Sequence, residues 1–537
     1  MRAQIRLLAA AAASLIPASL SAQAHDHAAG RLGRVTFPVS CAGEAPHRFE
    51  RAMAVLHSFW WEEGGPAFQR VLAADSTCAM AHWGLALTAW GNPFLGGPTG
   101  AALEAGARAA ERAAQLGAPT ARERGFLAAA AALYRDHATV RGPVRLRVYS
   151  DTMARVYADH PDDPEVAIYY ALSLVATASP TDTTFARQKQ AATILNPLFA
   201  RFPDHPGLAH YIIHSNDSPK LASLGLGAAR RYAQIAPSAP HAQHMPSHIF
   251  IRLGLWDETI AANQRSFQAG VDYARAQKLP GVAPEQLHAL DYMVYGYLQE
   301  GRDSAARATV AMALALATTL GNDALLANYN RVAMEARLPL ERGDWAAAAW
   351  LPVRATGQNG IGAALGHFTR GIGAARSGDT TLARAEVAAL AAIEAALAGQ
   401  PGYNWSRIVG IKRQAAAAWL ALALGDTAGA LREAAAAAAV EDVTEKHPVT
   451  PGELLPAREL EADLLLALGR YAQARAAYRT TLEREPGRAR SVYGAARAAD
   501  LAGERDAAQA GYREFLRLME RADGDRPELE MARRDAE

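Results

Sequence analysis

Toward the C-terminus apolar and small residues return at helical spacing and are cut by short polar turns, as in "ALGRYAQARAAYRTTLEREPGRARSVYGAARAADLAGERDAAQAGYREFL". Gly469 recurs as Gly503, Ala474 as Ala508 and Tyr478 as Tyr512, all by the same step along the chain. A fixed period of about 34 residues is the mark of stacked supersecondary units rather than of one compact core. The pattern predicts a helix ending at each turn glycine and a second, alanine-rich helix after it. No stretch alternates as a strand would.

The same pattern recurs with drift in "FWWEEGGPAFQRVLAADSTCAMAHWGLAL", "LGLWDETIAANQRSF", "LQEGRDSAARATVAMAL", "LERGDWAAAAWLPV", "ARSGDTTLARAEVAAL" and "LALGDTAGALREAAAA". The turn glycines Gly254, Gly301, Gly343, Gly378, Gly425, Gly469 and Gly503 are unevenly spaced. The step is shortest from Gly469 to Gly503, so the longer units carry longer helices or loops. With a turn glycine after the first helix, alanine and an aromatic in the second and then Pro486, the unit resembles the tetratricopeptide repeat (TPR). That resemblance implies an all-α fold, a TPR-type α-solenoid in which helix-turn-helix repeats wind into a right-handed superhelix. The expected organisation is a signal peptide over 1–24, an N-terminal extension over 25–45 and an N-terminal and central TPR-like array over 46–357. A C-terminal TPR array over 358–524 and a polar tail over 525–537 follow.

Length fits an extended array, because 537 residues exceed what one core accommodates. A net charge of +1 gives no electrostatic footprint for nucleic acid or a membrane surface. The segment 1–24 changes the picture more: Arg2 and Arg6 precede the apolar "LLAAAAASLIPASL", and "AQA" ending at Ala24 fits a cleavage site. The apolar run is short for a bilayer and broken by Pro17, and no other stretch is apolar enough to span. The reading is a periplasmic or secreted protein without a membrane span after cleavage. Cys41 and Cys78, an even count in an oxidising compartment, are expected to pair, the alternative being two separate buried thiols.

The histidines repeat in register with the array. Pro203 and Pro237 both sit at the repeat-ending proline, one full period apart, and His210 and His214 map onto His244 and His248 by the same step. Each pair is four apart, hence on one helix face. Counting back from the turn glycines places Asp291 opposite His244 and His288 opposite His241. The TPR resemblance puts these positions on the concave groove, so His210, His214, His244 and His248 are expected to face one another, with His241, His288, Asp291 and Tyr295 beside them. Imidazole is the commonest side-chain ligand of zinc, copper and iron, and two such pairs in register point to one of these metals. The competing reading is a polar groove hydrogen-bonded internally, to Asp217, or to a peptide or protein ligand, with Tyr211, Trp256, Tyr292 and Tyr295 as contact surface. Pro246 disfavours helix at Met245, so the second pair's helix either begins there or kinks there.

Other polar constellations are weaker. His25 to His27 would follow the cleaved signal, His57 lies near Trp60 and Trp61, and His447, Glu459 and Asp463 fall on the groove side of a later unit. Recognised catalytic loops are missing, so an enzyme reading rests on metal alone. The segments "SCAGEAPHRFERAMAVLHSFWWEE", "CAMAHWG", "LAHYIIHS", "APHAQHMPSHIFIRLG", "LDYMVYGYLQ" and "HPVTPGELLPAREL" resemble a group of exported bacterial TPR proteins, which implies fold and export but no activity. Three functions follow in order: a histidine-rich groove holding a transition metal or a ligand, an envelope scaffold without metal, and a metal-dependent enzyme that keeps a coordination position open for water or dioxygen.

Overall fold

The computed structural model describes residues 30–318, 324–354, 360–400 and 402–536. The signal peptide and His25 to His27 lie outside the described residues, as does the expected boundary between 357 and 358. Among the described residues helices follow one another from Ala45–His57 to Pro527–Asp535, with no strand beyond an isolated bridge between Val282 and Thr318. The architecture is an all-α, TPR-type solenoid: successive helices pack as antiparallel neighbours, and cores form between them along the whole array.

Local chemistry explains where helices stop and restart. All seven turn glycines named above have positive φ, from 66° at Gly343 to 88° at Gly378, the backbone state that closes a helix and that a Cβ disfavours. In three units an aspartate follows at once and caps the next helix. Asp344 accepts from the Ala347 amide at 3.0 Å, Asp379 from Leu382 at 2.9 Å and Asp426 from Gly429 at 2.8 Å. Each such cap contributes about 1 kcal/mol. The "GD" step is thus a stop signal and a start signal in two residues.

Packing then sets how the units meet. Alanine dominates the buried faces, as at Ala430, Ala434, Ala437 and Ala438, where small side chains let neighbouring backbones come close. Residues 30–44 do not trail free: Leu32, Val35 and Phe37 are buried, and Phe37 packs edge-on against Phe49. Cys41 is disulfide-bonded to Cys78, with Cα atoms 5.1 Å apart. The stretch expected as a polar tail instead carries the helix Pro527–Asp535, whose Leu529 and Ala532 are buried against the preceding helices. A repeat array exposes an apolar face at its last unit, and this amphipathic helix covers it.

The array also closes on itself. Trp256 donates its indole N–H to the Gly487 carbonyl at 3.0 Å, Arg488 pairs with Glu341 at 2.9 Å, and Arg526 is ion-paired with Asp303. Arg337, fully buried, holds Asp291 and donates to Thr450 and to the Gly452 carbonyl, both at 3.0 Å. Through these contacts residues 443–456 lie across the central helices. A groove open to a ligand was the expectation for this face; the chain fills it with its own segment.

Two glycines separate the cost of backbone angle from that of close approach. A Cβ on Gly503 would meet nothing, whereas one on Gly254 would sit 2.3 Å from the Pro486 carbonyl oxygen. Gly503→Ala should lower stability by about 1 to 2 kcal/mol through φ alone. Gly254→Ala should cost clearly more and loosen the return of the C-terminal repeats, read as a larger fall in thermal midpoint and as new proteolysis between 443 and 488.

Candidate metal centre

The helix Pro206–Asn216 starts with Pro206 at its first position and is capped by the His205 ring, whose Nδ1 accepts from the Leu208 amide. It carries His210 and His214 on one face. The next first-helix of the array is split: Pro240–His244 and Pro246–Arg252 meet at Met245, which keeps helical angles of φ −53° and ψ −36°. Pro246 has no N–H to give, but Met245 donates to the His241 carbonyl at 2.9 Å and His248 to the Met245 carbonyl at 3.1 Å, so the helical path continues through a kink. Both sequence alternatives hold in part, and the four-apart geometry survives. His288 comes from the helix Glu285–Gln299.

The four histidines expected to face one another are divided between two triads. His210, His214 and His241 form one; His244, His248 and His288 form the other, each with its candidate ligand atoms within 4.8 Å of one another. In the first, His210 Nε2 lies 3.0 Å from His214 Nε2 and 3.1 Å from His241 Nε2. In the second, His244 Nε2 lies 3.0 Å from His248 Nε2, and the His288 ring centroid is 4.5 Å from that of His244.

Proton accounting shows what these contacts are. His210 Nδ1 donates to the His57 carbonyl at 2.7 Å, an oxygen that can only accept. His248 Nδ1 donates to Asp217 at 2.8 Å. His244 Nδ1 donates to Asn263 Oδ1 at 2.6 Å, and the Asn263 amide is oriented by its own N–H bond to the Thr259 carbonyl at 2.8 Å. His241 Nδ1 is hydrogen-bonded to Glu285. Burial pushes the pKa values of His210, His214, His244 and His288 well below the ordinary histidine range, and lowers that of His248 against the pull of Asp217. A neutral imidazole with its proton on Nδ1 has a bare lone pair on Nε2. His244 and His248 therefore point two unprotonated nitrogens at each other at hydrogen-bond distance, with the Tyr292 hydroxyl beside that of His248.

A cation between such nitrogens would satisfy both lone pairs. Nitrogens about 2.0 to 2.1 Å from one ion and some 3 Å from each other subtend about 95°, an ordinary ligand angle. Oxygen acceptors behind the ligating rings fix tautomer and orientation and raise ligand basicity. Four of the six rings have one: the His57 carbonyl, Glu285, Asn263 and Asp217. Asp217 stays ionised: burial opposes this, but Lys446, Arg252 and His248 hold its carboxyl well below the usual range. His288 is buried, and the Val449 backbone bears on its ring.

A third group, His57, Glu165 and His205, also has the separations of a metal set. Its hydrogen bonding is different. Glu165 accepts from His57 Nε2 at 3.0 Å and from His205 Nε2 at 2.9 Å, while His57 Nδ1 meets the Tyr211 hydroxyl at 3.1 Å. With His205 Nδ1 occupied by the Leu208 amide, every ring nitrogen is partnered, and the group is a brace that holds the His57 carbonyl over His210.

Several sequence candidates are not brought to the triads. Asp291 has its oxygens on Arg337, at 2.8 and 3.3 Å. Burial raises its carboxyl, with Arg337 opposing. Tyr295 donates to Glu485 at 3.0 Å and stacks edge-on with Trp256. The tyrosine at the triads is Tyr292, whose hydroxyl is 3.4 Å from His248 Nε2. His447 accepts from the Val449 amide and packs between Tyr403 and Trp405. Glu459 and Asp463 are ion-paired with Arg488 and Arg490. His210, His244 and His248 are at most 2% exposed, His241 and His288 are also buried, and His214 is half-buried. Asn263 and Glu285 went unrecognised in the sequence; Glu285, three residues before His288, had a helical spacing that could have marked it.

No family model and no curated protein matches the chain. Among solved structures it is similar to yeast Tom70, at 10% identity over 91% of this chain and 95% of that one, TM-score 0.32. It is similar to Ypp1 at 10% identity over 89% and 81%, TM-score 0.41. The P58(IPK) TPR domain aligns at 14% identity over 70% of this chain and 98% of that one, TM-score 0.20.

The brace predicts a pH response. Glu165, buried, has a carboxyl that His57 and His205 hold down at about 2 against the desolvation that would raise it. A depressed carboxylate adds stability that is full above its unfolded value near 4.5 and is lost as pH falls toward 2. His57, lowered by burial, takes up its proton on unfolding below about pH 6.5 and adds to the acid loss. The urea midpoint should therefore drop between pH 7 and pH 3, and Glu165→Gln should start lower at pH 7 and show a smaller drop.

Proposed function

We propose that the protein is an exported TPR-type solenoid that binds transition-metal ions through its two histidine triads. One observation carries the reading: the Nε2 atoms of His244 and His248 face each other at 3.0 Å with their Nδ1 protons committed to Asn263 and Asp217, so neither ring brings a proton to the other, while the Tyr292 hydroxyl stands 3.4 Å from His248 Nε2. A polar cluster held by its own hydrogen bonds would place a proton between those nitrogens, as the Glu165 group does. Three histidines per ion leave a coordination position free, the arrangement of metal sites that bind or transform a ligand rather than closed structural ones. The half-buried His214 provides a solvent edge. Export is supported by the apolar leader read in the sequence and by the Cys41 to Cys78 bond, which persists in oxidising compartments.

A TPR-type fold is also suited to holding protein partners, and a scaffold role is the second reading. Its partner would dock on outer helices, because residues 443–456 occupy the face over the triads. Such a role predicts partner binding that is indifferent to the histidines.

Elemental analysis of untagged protein from its native compartment decides between the two. Wild type should carry near-stoichiometric zinc, copper or iron, and a folded His210→Ala/His244→Ala variant, which removes the hub of each triad, should carry none. Metal absent from wild type and not taken up on addition of ions would end the metal reading. Asp217→Asn should keep the fold and weaken metal affinity by about 10- to 100-fold, because His248 loses the carboxylate that orients it.

A further inference from the structure

We propose that the two triads form one binuclear copper centre, an inference that rests on the metal-binding reading above and extends it. His241 and His244 are three residues apart on the kinked Pro240–Arg252 segment, yet belong to different triads. Their ring centroids are 6.2 Å apart, and those of His214 and His248 are 6.4 Å apart. Within the second triad the centroids are separated by 4.5 to 6.0 Å. The step from one triad to the next is thus hardly wider than the step within one. The two triads therefore abut, and ions held by them would be neighbours. Two-metal sites place their ions about 3.5 to 4 Å apart around a shared ligand.

Donor chemistry selects the metal. All six ligands are imidazoles and no carboxylate enters either set, which disfavours manganese, magnesium and calcium and lacks the facial carboxylate usual for non-haem iron. Imidazole donors suit both copper and zinc, and of the two only copper has an accessible monovalent state.

Charge points the same way. Each triad has one carboxylate behind it, Glu285 on His241 and Asp217 on His248. Arg252 already pairs with Asp217 at 2.9 Å, and Lys446 also bears on that carboxylate. Two divalent ions would leave an excess of positive charge in a buried site, which is costly. Two copper(I) ions bring half the charge, so the resting centre is a copper(I) pair. Oxidation would remove one electron from each ion and pass it to an added one-electron acceptor such as ferricyanide, and the half-buried His214 would be the edge by which solvent reaches the ions.

Copper titration followed by electron paramagnetic resonance tests the centre on the full mature chain. Apo protein should take up two copper(I) ions anaerobically and, after oxidation with ferricyanide, should give far less than two spins of copper(II) signal because the ions couple. His214→Ala and His288→Ala, one from each triad, should each hold a single copper with a full one-spin signal. Should either variant fail to fold, the spin count of wild type alone decides. Two copper ions with two full spins, a single copper in wild type, or displacement of copper by equimolar zinc would overturn the binuclear copper centre and leave metal binding standing. Failure to bind copper, zinc or iron at all would overturn both.

Discussion

The geometry of this protein turns on where six imidazole protons reside. Histidines packed together at low exposure are stable only if their charges and lone pairs are disposed of, and here Nδ1 of four rings is hydrogen-bonded to oxygen. His57, Asn263, Glu285 and Asp217 come from four different elements, so placing the protons ties together regions far apart in sequence. At His210, His244 and His248 the consequence is a lone pair on Nε2 that faces into the cluster. The proposed metal binding rests on that arrangement rather than on histidine content.

The surrounding solenoid exists to hold those acceptors in place. Glycine turns and aspartate caps fix the lengths of the helices, alanine faces fix their separations, and the Glu165 brace fixes the His57 carbonyl. Over this lies the return of the chain, with Arg337 gripping both Asp291 and the Thr450 to Glu453 turn. A repeat array ordinarily contacts only neighbouring units. Here long-range ion pairs override that rule, and the face most repeats leave open is closed. Burial is the main cause that lowers the pKa values of His210, His214, His244 and His288.

Contrast between the triads and the Glu165 group shows why ligand-like spacing alone is a poor guide. All three groups have convergent donors, but in one a carboxylate lies between the rings, while in the other two ring nitrogens face one another directly. What separates them is the identity of the atom behind each ring. A carboxylate set between two imidazoles consumes their protons, whereas a carboxylate or carbonyl outside the cluster pulls the proton outward and frees the inner nitrogen.

Much of this was legible in the chain itself. The repeat period, the turn glycines and the register of His210 and His214 with His244 and His248 are local, periodic properties, and helix formation by alanine-rich segments with glycine stops depends on neighbours in sequence. The grouping of the histidines was not legible. A fourfold cluster and two triads share the same register, and the choice depended on the kink at Pro246, which turns His241 toward His210 while His244 and His248 face His288. Burial by residues 443–456 was equally invisible, since that loop reads as a break until Arg337 and Arg252 are seen to hold it. Periodicity in the sequence determined which residues share a face; the tertiary structure decided which face meets which, because that is settled by contacts between residues far apart along the chain.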